Sequence, residues 1–300
     1  MFSFTKEQKV FDISGISVGG QPGMHPTVLF GGLFFKGEPD FDDAKQHLQT
    51  IFDLSKQTGT PVIPDFFVRK VEYIQPIIAF IEKVIPKKHP FSLDIIEPSI
   101  KIETLELLAE KKLLSRTIYN SIHIGITKEE TEALQKYTPE LAIIVAFNPK
   151  DTSPDGKIEV LENGAHLTEC GLLELVRKIG IEKLLIDTAA LAPGENSGAA
   201  IAALPVIKEE YGFPAGCAIH NVVEKSRWLN DFPFAKKTVD AASNNAIPLF
   251  GGDFAIFGPI ENAPLVIPLM AWQDILVSEY TENYFGVSPV ASHPRRKLLK

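Results

Sequence analysis

The sequence predicts an α/β protein, a (β/α)8 barrel preceded by an N-terminal β-hairpin. Eight short runs are apolar almost throughout, as strands buried on both faces require. Amphipathic helical segments separate them, and strands alternating with helices imply a parallel sheet. Eight such units within 300 residues suit a closed barrel better than an open doubly wound sheet. One domain is expected over residues 1–300, with residues 1–26 as a hairpin extension.

The extension stands outside the repeat. KVFDISGISVGG reads as two short alternating runs joined at Ser14-Gly15, placed to cover apolar side chains at the N-terminal end of the barrel. The strand runs then follow in order. TVLFGGLFF starts at Thr27, PVIPDFF at Pro61, PFSLDII at Pro90 and SRTIYNSI at Ser115. LAIIVAFN starts at Leu141, KLLIDTAA at Lys183, AGCAIHN at Ala215 and AIPLFGGDF at Ala246. Between them, DDAKQHLQTIFDLSKQTG ends at Gly59 and LTECGLLELVRKIG at Gly180, each with glycine where a helix commonly stops.

Composition narrows the function. The chain is 45% hydrophobic and 23% charged, enough for a sizeable core. A net charge of −8 argues against nucleic acid or an anionic membrane as the main partner. No apolar run approaches the roughly 18 residues that span a bilayer, and MFSFTKEQKV lacks a signal-peptide core. With only Cys170 and Cys217 there is no disulfide framework. A cytoplasmic protein is expected. The terminal SHPRRKLLK is basic, either a solvated tail or a patch for an acidic partner.

In a barrel of this kind the site lies at the C-terminal ends of the strands. Those ends offer Asp65, Asp94, Asn120, Asn148, Asp187, Asn221 and Asp253, in strand order from the second to the eighth. Taken singly, an Asp after a strand is a helix cap or a loop hydrogen bond. As a set aimed at one mouth, they form a ring of carboxylates and carboxamides with little positive charge. A flat heterocycle with alternating N–H groups and ring nitrogens suits that inventory. An aminopyrimidinone edge presents two adjacent donors that one carboxylate accepts together.

Other chemistries find less support. No GxxxxGK[ST] loop is present, and GGQPG near Gly19 follows a hairpin rather than a strand leading into a helix. The seven histidines include no HExxH; His123 and His220 read as hydrogen-bonded residues at the barrel top rather than metal ligands. GISVG from Gly15 matches GxSxG around Ser17, but it sits in the hairpin and not in a strand–turn–helix elbow. Cys217, in a buried strand, reads as a small hydrophobe.

The opening FTKEQKVFDISGISVGGQPGMHPTVLFGGLFF resembles the N-terminus of the H subunit of tetrahydromethanopterin S-methyltransferase. It is similar also to the bacterial methylcorrinoid:tetrahydrofolate methyltransferases, including those of glycine betaine demethylation. The resemblance covers essentially the whole chain and implies a (β/α)8 TIM barrel of the pterin-binding type. In those relatives an Asp, an Asn and an Asp ending the third, fourth and sixth strands contact the pterin. SLDII supplies Asp94, IYNS supplies Asn120 and LLIDT supplies Asp187. The methyltransferases add an Asn after the seventh strand near the reacting nitrogen, and AIHNVV supplies Asn221 as the catalytic candidate. Asn148, Asp65 and Asp253 stand as additional candidates from the strand-end reading.

Dihydropteroate synthases belong to the same superfamily and hold a diphosphate on basic residues after strands seven and eight. Lys225 and Arg227 follow strand seven here, but the eighth run ends in GGDF, without an RxH pattern. The resemblance therefore implies methyl transfer between N5 of tetrahydrofolate and a methylcobamide carried on a separate corrinoid protein. Tetrahydromethanopterin is the alternative pterin, and a dihydropteroate-synthase-like enzyme and a pterin-binding subunit without catalysis are further alternatives. Both pterin and methylcobamide act as substrates. No tightly bound cofactor is expected, since the base-off corrinoid motif DxHxxG is absent, and no metal is expected. A homodimer is expected.

Overall fold

The computed structural model describes residues 3–35 and 37–299. The chain opens with β1 (Val10–Ile13) and β2 (Ile16–Gly19), an antiparallel hairpin turning through Ser14 and Gly15, both at positive φ. The barrel repeat then begins with β3 (Val28–Leu33), α1 (Phe41–Thr58), β4 (Val62–Phe67) and α2 (Ile74–Val84). It continues through β5 (Phe91–Asp94), α3 (Pro98–Glu110), β6 (Thr117–Ile122) and α4 (Lys128–Lys136). Next come β7 (Leu141–Val145), α5 (Pro154–Asn163), α6 (Leu172–Ile179), β8 (Lys183–Asp187) and α7 (Gly198–Tyr211). The last units are β9 (Ala215–Cys217), α8 (His220–Glu224), α9 (Pro233–Ser243), α10 (Ala246–Leu249), β10 (Phe254–Pro259), α11 (Ala263–Phe285) and α12 (Pro294–Leu298).

Strands β3 to β10 close into an eight-stranded barrel, with β10 pairing β3, every pair parallel. The expected architecture is thus present. Gly59 and Gly180 take the left-handed conformation just past α1 and α6, as a glycine helix stop requires. No helix among the described residues is long and apolar enough to cross a membrane.

Apolar side chains on both faces of the strands divide the core in two. One cluster lies between the sheet and the surrounding helices. The other fills the lower barrel: Val28, Phe30, Ile63, Leu141, Leu185 and Phe254 meet Ile13 and Val18 of the hairpin. The hairpin is therefore a plug over the N-terminal end, as its position in the sequence implies. Lys183 Nζ, at the start of β8, donates to the Asp12 carbonyl at 2.8 Å and ties the plug to the sheet.

The structure corrects the sequence expectation at the eighth strand. AIPLFGGDF is not that strand: its apolar part forms the one-turn α10, and β10 is the following run, Phe254–Pro259. Both runs are short and apolar, and periodicity alone does not separate a buried helical turn from a strand. Asp253 consequently precedes the strand instead of ending it, and lies at the bottom of the barrel. There Lys208 Nζ, on α7, donates to both Asp253 oxygens at 2.7 Å and to the Gly20 carbonyl at 2.9 Å. The Ala215 N–H donates to Asp253 Oδ2 at 2.9 Å. Asp253 is a structural staple joining the plug, α7, β9 and β10.

Because Lys208 and Asp253 are both buried, removing one strands the other. Lys208→Met is expected to lose roughly 3–5 kcal/mol in urea unfolding. The double variant Lys208→Met/Asp253→Leu should recover much of that loss. A single-variant loss below about 1 kcal/mol, the level of an exposed ion pair, would contradict the staple.

Candidate active site

The opposite end of the barrel opens into a cavity of about 420 Å³. Its floor is polar: Asp65 from β4, Asp94 at the end of β5, Asn120 on β6 and Asp187 at the end of β8. The parallel register brings them together, with Asp94 opposite Asn120 and Asp65 one pleat away, opposite Ser92. Asn120 Nδ2 donates to Asp65 Oδ2 at 3.2 Å, while Asp65 Oδ1 is buried without a partner among the described residues. Phe34, Phe147, Ile124 and Ile256 supply apolar walls.

Asn221 also lines this cavity. It stands in the first turn of α8 rather than at a strand end, because β9 stops at Cys217. Its side chain is exposed, and its carboxamide is free of hydrogen bonds to the described residues.

Asn148 lies outside the cavity, which corrects the strand-end reading. Three residues past β7, its Oδ1 accepts the Lys150 N–H at 2.9 Å and the Asp151 N–H at 3.3 Å. Its Nδ2 donates to the Gly156 carbonyl and to Glu159 Oε2, both at 3.3 Å. Every polar position of the side chain is used to fold its own loop, so nothing remains for a ligand.

Electrostatics set the three floor carboxyls apart. Burial raises Asp94 above the ordinary carboxylate range, and the neighbouring Asp65 charge adds to it. Burial also raises Asp65, only partly offset by hydrogen bonding such as that from Asn120. Asp187 is pushed up to about 6 by burial, against the Ala189 N–H donated to its Oδ1 at 2.7 Å and the nearby Lys157 charge. None has a lysine in contact among the described residues, unlike Asp253 below. Such a floor calls for N–H donors from whatever binds.

Two buried lysines support the floor from behind. Lys101 Nζ, on α3, donates to the Ser121 carbonyl at 2.8 Å and to Glu130 Oε1 at 2.9 Å. The Tyr119 hydroxyl donates to the same Glu130 oxygen at 2.6 Å. Lys157, on α5, reaches the Ala189 carbonyl at 3.5 Å behind Asp187. Sequence reasoning misses both; their only trace is a lysine on the buried face of an otherwise amphipathic helix. It also misses the contact from His220 Nδ1 to Asp240 Oδ1 at 2.8 Å, which joins α8 to α9.

The fold defines the class: a closed parallel barrel of the dihydropteroate-synthase kind. Dihydropteroate synthase from Xanthomonas albilineans superposes with a TM-score of 0.56 at 17% identity, covering 90% of this chain and 98% of that one. The Coxiella burnetii enzyme in complex with pteroic acid gives 0.58 at 14% identity, covering 83% and 94%. The sequence goes further. Residues 6–290 match the family of the tetrahydromethanopterin S-methyltransferase MtrH subunit, and the chain belongs to that methyltransferase family. The H subunit of tetrahydromethanopterin S-methyltransferase from Methanothermobacter thermautotrophicus is 36% identical over 313 residues, covering all of both chains. Its counterpart from Methanocaldococcus jannaschii is 32% identical over 325 residues, again covering both chains fully.

A carboxyl whose folded pKa is raised keeps its proton in the folded state and loses it in the unfolded state between the two values. The unfolded chain binds fewer protons there, so stability falls as pH rises. For Asp187 the window runs from the ordinary 3.8 to about 6, and the penalty is complete above it. Asp187→Asn removes this penalty. In urea unfolding its stability relative to the parental protein should rise by about 1–3 kcal/mol between pH 4 and pH 7.5. A pH-independent difference would show that Asp187 is not buried as a raised carboxyl.

Proposed function

We propose that this chain moves a methyl group between N5 of tetrahydrofolate and a methylated corrinoid carried on a separate protein. The observation that carries the reading is the cavity floor: Asp65, Asp94, Asn120 and Asp187 converge in one pocket, with Asp65 Oδ1 left without a donor among the described residues and Asp187 given only the Ala189 N–H. The 2-amino and ring N–H groups of a pterin supply such donors side by side. In this reading Asp187 and Asp94 accept from the pyrimidinone edge, Asn120 reads the neighbouring ring nitrogen and N–H, and Asn221 holds N5 at the open rim. The reaction asks for no protein nucleophile, because Co(I) or N5 is itself nucleophilic. The protein's work is to orient the ring and manage the proton on N5.

Charge placement supports methyl transfer over a diphosphate-releasing reaction. Lys225 and Arg227 line a different cleft, with Ala192, Pro193 and Trp228, and the β10 end of the cavity offers Ile256 and Gly258. The named relatives favour a second choice of pterin, tetrahydromethanopterin, for the same site. The chain acts in the cytoplasm and as a homodimer in this proposal; exposed Leu265, Trp272 and Leu276 on α11 give a dimer apolar surface to use. The isolated protein should show no corrinoid absorption, the corrinoid arriving on its own carrier.

Calorimetry with each reduced pterin tests the floor. Asp187→Ala leaves bound N–H donors unpaired, at roughly 1–3 kcal/mol or more, so affinity should fall at least about tenfold. Unchanged affinity would reduce Asp187 to a loop cap. Asp94→Asn should likewise weaken binding chiefly. Asn221→Ala should bind within a few-fold of the parental protein, yet slow single-turnover methyl transfer by roughly one to three orders of magnitude. A near-parental rate would remove Asn221 from the reaction. Transfer between free methylcobalamin and pterin by the parental protein also separates an enzyme from a pterin-binding subunit without catalysis.

A further inference from the structure

Methyl transfer at N5 moves a proton as well, and the pterin-reading residues leave that proton without a carrier. N5 of a tetrahydropterin is a secondary amine. When its lone pair takes the methyl group, the N–C bond forms, the Co–C bond breaks, and the bonding pair stays on cobalt as Co(I). N5 then bears hydrogen, methyl and a positive charge, and must give up the proton. In reverse, N5 must receive a proton as the methyl leaves for Co(I). Asn221 can hold a hydrogen bond at N5, but a carboxamide does not take up a proton near neutrality.

Two histidines line the cavity, and their surroundings separate them. His123 Nδ1 accepts the Gly125 N–H at 2.9 Å, which puts the ring proton on Nε2. Burial and the Lys101 charge hold its pKa below the usual histidine value. His220 is arranged the other way. Its Nδ1 donates to Asp240 Oδ1 at 2.8 Å, so the neutral ring carries its lone pair on Nε2. Nε2 makes no hydrogen bond among the described residues, and the ring lines the cavity.

The pair is built rigidly. Asp240 is 4% exposed. Its Oδ2 accepts from Asn262 Nδ2 at 2.8 Å, and its backbone carbonyl accepts from Asn244 Nδ2 at 2.9 Å. The imidazole lies on the backbone of Gly258, at the end of β10. A Cβ there would stand 2.3 Å from two ring carbons, so glycine is the residue that leaves the ring its place. Elements α8, α9 and β10 thus fix one imidazole beside Asn221. A carboxylate on Nδ1 orients the ring and stabilises the imidazolium formed when Nε2 takes a proton.

We propose that His220, oriented by Asp240, is the group that takes the proton from the pterin N5 and returns it, while Asn221 holds N5 in place. This rests on the methyltransferase reading of the site. The other titratable groups facing the same cavity are Asp65, Asp94, His123 and Asp187. On α8 and α9, Glu224 and Lys236 pair with each other at 3.2 Å.

The test is single-turnover methyl transfer between free methylcobalamin and each reduced pterin, followed by cobalt absorbance across pH, with pterin affinity measured in parallel. His220→Gln should keep affinity within a few-fold, lose roughly 10²–10⁴ in rate, and lose one limb of the pH–rate profile. Asp240→Asn keeps the packing but favours the opposite ring tautomer, and should slow transfer and displace that limb. If His220→Gln fails to fold, Asp240→Asn alone decides. Near-parental rates and profiles in the folded variants, or rate and affinity falling together, overturn the assignment while leaving the methyltransferase reading intact. A parental protein that transfers no methyl group with either pterin overturns the reading and the assignment with it.

Discussion

Strands buried on both faces leave little room for polar side chains that lack a partner, so in this barrel polar chemistry gathers toward the two ends of the sheet. At the lower end the hairpin seals the interior with Ile13 and Val18. At the upper end, side chains from four strands, β4, β5, β6 and β8, meet over one cavity. The division of labour follows from which end a residue occupies more than from its chemical type.

Asp253 and Asp187 show the consequence. Both are buried carboxyls raised by desolvation. Asp253 has a lysine in contact and a backbone N–H, and both of its oxygens are bonded in joining elements. Asp187 has one backbone N–H and a lysine set behind it, and keeps acceptor capacity toward the cavity. A carboxyl held at a cost in stability, with no full partner, is what a site awaiting donors requires. Lys101 and Lys157 moderate that cost without closing the site, since each is committed to carbonyls or to Glu130 behind the floor.

Much of this is legible in the sequence, and the failures are physical. Continuous apolar runs mark seven of the eight barrel strands, and the ends of the third, fourth and sixth runs locate Asp94, Asn120 and Asp187 at one cavity. The eighth strand is misplaced by pattern because AIPLF and FAIF are equally apolar, and only packing beneath the barrel makes the first a helical turn; Asp253 moves to the wrong end with it. Asn148 is three residues past its strand, where loop geometry, not strand register, decides which way a side chain turns. Asp240 is 20 residues from His220 in sequence, on another helix, so no local pattern could join them. The fold and the family agree with the pattern; the supporting layer is visible only in three dimensions.

The proposed pterin site requires the polar floor of the upper cavity to read a reduced pterin and present its N5 to the open mouth. A crystal structure with methyltetrahydrofolate bound tests this most directly. The aminopyrimidinone edge is expected on Asp94, Asn120 and Asp187, with N5 within hydrogen-bonding reach of Asn221 and the methyl group facing solvent where a corrinoid could meet it. A pterin bound elsewhere, or one turned so that N5 points into the barrel floor, would contradict it.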